Sequence, residues 1–176
     1  MGDLEQIREL WDVNYSWPQG GEEWSVGWGG ADLQWLISLF PRISRFVPAP
    51  TILEIAPGFG RWTQYLKNFC ERLVIVDISS RCIQACRERF AAEPHISYHV
   101  NDGKSLDMIP DGSVDLVFSY DSLVHVEADV MEAYLSQVAR KLTPEGVGFL
   151  HHSNLGEYRC YAGLVHGLPR FAREFL

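Results

Sequence analysis

The sequence predicts an α/β fold, a doubly wound and mainly parallel sheet carried by one domain. Two observations predict it. From Thr51 onward, short runs rich in β-branched and aromatic residues alternate with segments of helical period, the pattern of strand-helix-strand units packed as a parallel sheet. The first strand then runs straight into a Gly-x-Gly turn and a helix, Leu53-Glu54-Ile55-Ala56-Pro57-Gly58-Phe59-Gly60-Arg61, the local arrangement by which such sheets present a ligand at a strand's carboxyl end. The 176 residues, 47% of them hydrophobic, suit a single packed core.

In chain order, residues 1–48 form an aromatic-rich helical cap or lid, because five of the six tryptophans fall within the first 35 positions. A helix is expected over Leu4 to Val13, then a Gly-rich loop from Pro18 to Gly30. A second helix starts at Asp32, an N-cap candidate, with Leu33, Leu36, Ile37 and Phe40 at core-facing spacing until Pro41. Residues 49–154 form the core. Strands are expected at 51–56, 72–77, 96–100, 114–119 and 147–152. Between them lie helices over Arg61 to Phe69, Ser80 to Ala91 and Glu127 to Leu142, the last with Met131, Leu135 and Val138 inward, stopped by Thr143-Pro144-Glu145-Gly146. Residues 155–176 are a short tail.

Composition narrows the function classes. A formal charge of -8 and a pI near 5.2 give no global attraction to nucleic acid or anionic membranes. Arg81, Arg87 and Arg89 read as a solvated helix face. Cys70, Cys82, Cys86 and Cys160 lack CxxC spacing, so reduced thiols in a cytoplasmic protein are expected. No apolar run is long enough to span a bilayer, and Met1 to Leu10 lacks the pattern of a signal sequence.

The chemistry concentrates at strand ends. Gly58 and Gly60 let the backbone turn sharply and approach a ligand. Glu54 is placed to order that turn and to accept from a charged amino-acid moiety. Asp77 ends the second strand, 17 residues after Gly60, where a carboxylate accepts from both ribose hydroxyls. Asp102, just past the third strand, is placed to accept from an adenine amino group. A dinucleotide is the alternative ligand, but Thr63 stands where that motif wants a third Gly or Ala.

These elements, in this order, resemble the class I S-adenosylmethionine-dependent methyltransferases from about Thr51 to Asn154. The resemblance implies a Rossmann-like sheet of order 3-2-1-4-5, C-terminally shortened, with S-adenosylmethionine bound by Glu54, Ala56, Gly58, Gly60, Asp77, Ile78, Asp102, Gly103, Ser119 and Tyr120. Ala56 occupies the place of the family's usual first glycine, a substitution expected to do little harm. Family members add a helix and a hairpin after the fifth strand. The short tail here implies an apolar edge at Val147 to His152, to be covered by a homodimer or by the tail itself, unless the sequence is a shortened one.

The expected activity is methyl transfer to a small-molecule acceptor, a hydroxyl oxygen on a sugar or natural-product scaffold. Its catalytic candidates are His125, Asp121 and His152, because a hydroxyl acceptor needs a base and histidine titrates in the right range. His125 has the alternative reading of a packed, backbone-satisfied histidine, and strand alternation lets only one of His151 and His152 face the site. Asp121 and Asn154 match oxygen ligands of metal-dependent members. Magnesium would suit such hard ligands, but with no third carboxylate near Asn154 a divalent metal is the less favoured alternative. Tyr15, Trp17, Trp24 and Trp28 are expected either to form a water-excluding lid over a ring-shaped acceptor or to extend the core. A non-catalytic module that holds the cofactor or a partner is the competing functional class.

Overall fold

The computed structural model describes residues 4–152. Its five strands are β1 (Ala49–Ile55), β2 (Cys70–Asp77), β3 (Ile96–Val100), β4 (Val114–Ser119) and β5 (Leu142–Leu150). All neighbouring pairs are parallel, in the order β3-β2-β1-β4-β5. Strand alternation sends Ile52, Leu73, Ile75, Leu116 and Phe118 into one core and Leu53, Val74, Val76 and Val117 into another. Helices cover both faces, which is why the central strands read as unbroken apolar runs.

α5 (Ser80–Arg89) closes the first core with Ile83 and Cys86, and α6 (Ala128–Lys141) closes the second with Val130, Tyr134 and Val138. α5 begins where it does because the Ser79 hydroxyl accepts from the Cys82 amide at 3.0 Å, satisfying a donor the helix leaves open. Each large apolar side chain buried in these layers contributes about 1.5–3 kcal/mol of transfer free energy.

Several local expectations shift. α1 (Leu4–Glu9) runs on as a π-turn over Leu10–Asn14. The Gly-rich stretch is not loop throughout: a 3-10 segment covers Glu22–Trp28 between left-handed Gly21 and Gly29. The next helix runs from α2 (Ala31–Gln34) through a π segment, Trp35–Leu39, into α3 (Phe40–Ile43), so Pro41 begins a helical turn instead of ending one. Its buried stripe is Ala31, Trp35, Leu39 and Ile43, whereas Leu33, Leu36 and Ile37 are exposed. The apolar residues span more than one face, and the face carrying Trp35, stacked on Tyr65 at 4.8 Å, buries the larger area.

The helix after the glycine turn shrinks to α4 (Thr63–Leu66). In α6, Leu135 is exposed while Val130 and Tyr134 face inward. Thr143 to Gly146 belong to β5, with a register shift opposite Val114 and Leu116. β5 forms one edge of the sheet. The expected tail, like Ser153, Asn154 and Cys160, lies outside the described residues. Among those described, Cys70, Cys82 and Cys86 are free thiols and no helix is long and apolar enough to cross a membrane.

Candidate functional site

The strand order reverses between β1 and β4, and there a crevice opens at the carboxyl ends. Gly58 and Phe59 of the Gly-x-Gly turn line it, whereas Gly60 does not and serves the turn from behind. Gly60 has φ +85°, and a Cβ on it would lie 2.5 Å from Phe90, so only glycine fits. Gly58 has φ +57° and lies against Trp17, while its amide donates to Asp77 Oδ2 at 3.2 Å. Ala56 carries more than a small side chain in a glycine's place. Its φ is +58°, a left-handed conformation that costs a non-glycine residue about 1–2 kcal/mol.

The two strand-end acids occupy different levels. Glu54 is sealed beneath the turn, where its Oε2 accepts from the Thr63 hydroxyl at 2.6 Å. Burial pushes its carboxyl up to about 8, with Asp77 adding to the rise and Thr63 and Arg61 opposing it. Thr63, which breaks the dinucleotide motif, is therefore the partner of the buried acid. Asp77 lies in the crevice wall and accepts from the Ser79 amide at 2.8 Å through its other oxygen. Burial raises its carboxyl to about 7 against the lowering effect of the Ser79 and Gly58 amides.

Asp102 does not share that wall. It lies exposed in a small neighbouring recess with Glu5 and Arg8, and its Oδ1 accepts from the amides of Lys104 and Ser105 at 2.9 and 2.7 Å. Gly103 and Ile78 do line the crevice, with Leu4 of α1 packed against both. The reason is local: the carboxylate turns back to stabilise its own loop, the ordinary behaviour of an Asp in an Asx turn.

At the β4 end, Ser119 is buried and donates to the Ile55 carbonyl at 2.9 Å, tying β4 to β1. Tyr120 and Asp121 reach the crevice. Asp121 has φ +62° and pairs at 2.8 Å with Arg61, a buried guanidinium that also donates to Ser25 Oγ and lies 4.5 Å over Trp62. Of the histidine pair, His151 and not His152 reaches this corner. Its Nδ1 is 3.2 Å from Asp121 Oδ1 and its ring stacks on Tyr120 at 4.5 Å, whereas His152 is exposed; neither histidine lines the crevice wall itself. His125 lines the crevice beside Trp11 at 5.8 Å, and desolvation holds its pKa below 6.5 although Asp121 opposes this.

A roof of rings covers the crevice. Trp11, Tyr15, Trp17 and Trp24 pack on one another at 5.2–5.9 Å, and Trp17 lies flat on Phe59 at 4.3 Å. Trp28 stays outside it, exposed, and Trp11 takes the place expected of it. Asp12 fastens the roof to the start of α5 by accepting from the Ser79 hydroxyl at 2.5 Å and the Arg81 amide at 3.2 Å. The cavity beneath it is about 620 Å³, within the range of small-molecule sites. Among the described residues, no three His, Cys, Asp or Glu side chains gather as a metal site; Asn154 lies outside them.

Residues 52–146 match the family model described as "Methyltransferase domain". The chain belongs to that family. The methyltransferase domain is 28% identical over 144 residues to the squalestatin hexaketide synthase of a Phoma species, covering 75% of this chain and 5% of that protein. It is 26% identical over 110 residues to ribosomal RNA small subunit methyltransferase A of Coxiella burnetii, covering 54% and 43%. It thus spans less than half the length of these curated relatives. Among solved structures, phosphoethanolamine N-methyltransferase 1 of Haemonchus contortus, in complex with phosphoethanolamine and S-adenosylhomocysteine, superposes with a TM-score of 0.68 at 21% identity, covering 85% of this chain and 31% of that one. The methyltransferase domain shares its class I fold.

Proposed function

We propose that this chain binds S-adenosylmethionine at the Gly58–Gly60 turn and Asp77, and directs methyl transfer to the hydroxyl oxygen of a small molecule. The observation that carries this reading is that one cavity wall takes in Gly58 and buried Asp77 at one end and Tyr120, Asp121 and His125 at the other. The residues fit the cofactor. A carboxylate at the end of β2 is suited to two ribose hydroxyls, and Gly58 brings bare backbone to the cavity wall beside it. Glu54 supports the turn from below. Asp102 acts through its loop, which presents Gly103.

When bound, the cofactor supplies an electrophilic methyl group on sulfur. The chain's own part is positioning and proton removal. Desolvation keeps His125 neutral near pH 7, so its ring can take the acceptor's proton. Asp121, paired with Arg61 at 2.8 Å, orients, and His151 braces it. Residues 1–48 serve as the cap that excludes water, over a single core of 49–154.

The relatives include ribosomal RNA methyltransferases, but a net charge of -8 favours a small acceptor over RNA. The test is incubation with methyl-labelled donor and a panel of phenol, sugar, amine and RNA acceptors. Label transferred to a hydroxyl compound supports the reading. Cofactor binding without transfer to any of them would favour a non-catalytic module.

A further inference from the structure

The acceptor end of the cavity has an unusual balance of charge. Its cation, Arg61, is 5% exposed and already neutralised by Asp121 at 2.8 Å. His125 is held neutral by desolvation. Bringing an anionic acceptor to this end would require a free cation, and a cationic one would meet ring faces but no free carboxylate. A third charge beside a closed ion pair is desolvated without compensation.

Hydrogen-bonding capacity there is also largely committed. The Tyr15 hydroxyl donates to Glu23 Oε1 at 2.7 Å and the Ser122 hydroxyl to the Ala56 carbonyl at 2.8 Å. The Arg61 guanidinium is divided between Ser25 and Asp121. Among the described residues, His125, the Tyr120 hydroxyl and Trp62, whose indole Nε1 is buried without a hydrogen-bond partner, are the polar groups this wall has to offer an acceptor. Handles so few, among so many rings, match a single hydroxyl oxygen. They do not match a polyol, whose remaining hydroxyls would be buried unpaired.

What the walls do offer is ring surface. Trp11, Tyr15 and Trp24 come from the roof, and Trp62 and Tyr120 from the sheet side. Flat faces of this kind recognise a flat partner by stacking and edge contacts at about 4.5–7 Å between ring centroids.

We propose that the acceptor is an uncharged aromatic compound bearing a hydroxyl, held between the roof rings and the Trp62–Tyr120 wall with its oxygen toward His125. This rests on the methyl-transfer reading and narrows it from hydroxyl acceptors in general to phenol-like ones, excluding sugars, phosphorylated acceptors and amines.

Isothermal titration calorimetry tests it on the whole chain. S-adenosylhomocysteine is titrated first. Then 2-naphthol, 2-naphthyl phosphate, a naphthylmethylammonium salt and glucose are each titrated into the saturated protein. The expected ranking puts 2-naphthol ahead of every other probe by about tenfold or more. Asp121→Asn, which leaves Arg61 without its counter-ion, is expected to strengthen binding of the phosphate ester relative to 2-naphthol. Trp24→Ala is expected to weaken 2-naphthol by about tenfold while S-adenosylhomocysteine still binds. The wild-type ranking stands by itself if either variant fails to fold. S-adenosylhomocysteine binding with 2-naphthol no tighter than its phosphate ester or glucose overturns this acceptor class alone. Absence of S-adenosylhomocysteine binding overturns the underlying methyl-transfer reading as well.

Discussion

Lowering the pH from 8 to 6 is expected to weaken S-adenosylhomocysteine binding about tenfold, through protonation of Asp77. Burial raises this carboxyl to about 7, so about one site in eleven is ionised at pH 6 and about ten in eleven at pH 8. Ribose hydroxyls donate to the ionised form, which offers more acceptor positions than the protonated one. Affinity therefore rises with pH through 7, and the tenfold change corresponds to about 1.4 kcal/mol. The same linkage requires binding at pH 6 to release close to one proton per site, read as the difference in calorimetric heat between buffers of unlike ionisation enthalpy. Asp12 also acts on Asp77, and His125 titrates at the far end of the cavity, so Asp77→Asn is the decisive control. It should bind more weakly at pH 8 and lose the pH dependence. Equal wild-type affinity at both pH values, or an undiminished dependence in Asp77→Asn, would refute the reasoning.

Thr63→Val removes the donor to buried Glu54 and should lower unfolding stability by about 1–3 kcal/mol in urea titrations. Glu54 titrates near 4.5 when unfolded and near 8 when folded. Between those values the folded state holds the extra proton, so its stability falls as pH rises; Glu54→Gln should flatten this decline between pH 5 and 8. Ala56→Gly relieves the left-handed φ of +58° and should raise stability by up to about 1 kcal/mol, seen as a higher Tm. Arg81 donates to the carbonyls of Asp12 and Tyr15 at 3.3 and 3.0 Å. Arg81→Ala should speed amide exchange in residues 4–15 while global stability drops by no more than about 1 kcal/mol.

The sheet was legible because both of its faces are covered, so each central strand announces itself as a continuous apolar run. The positions of the turn, Glu54 and Asp77 were legible because they are local in sequence and follow directly from strand ends. Asp102 departed from expectation because a side chain's choice between ligand and its own loop depends on neighbouring amides that spacing does not encode. The corner of the crevice after β4 was the least readable. Arg61 is visible next to Gly60, but its partner lies 60 positions away, and alternation at His151 and His152 gives one inward residue without saying which. The buried stripe of the α2–α3 run was missed because apolar residues lie on both candidate faces, and tertiary stacking of Trp35 on Tyr65 selects between them.

The most direct test is a crystal structure of the complete chain with S-adenosylhomocysteine. The ligand is expected over the Gly58–Gly60 turn, its ribose hydroxyls on the Asp77 carboxylate and its sulfur facing the Tyr120–Asp121 corner beneath the tryptophan roof. A ligand held elsewhere, or one whose ribose makes no contact with Asp77, would contradict the account.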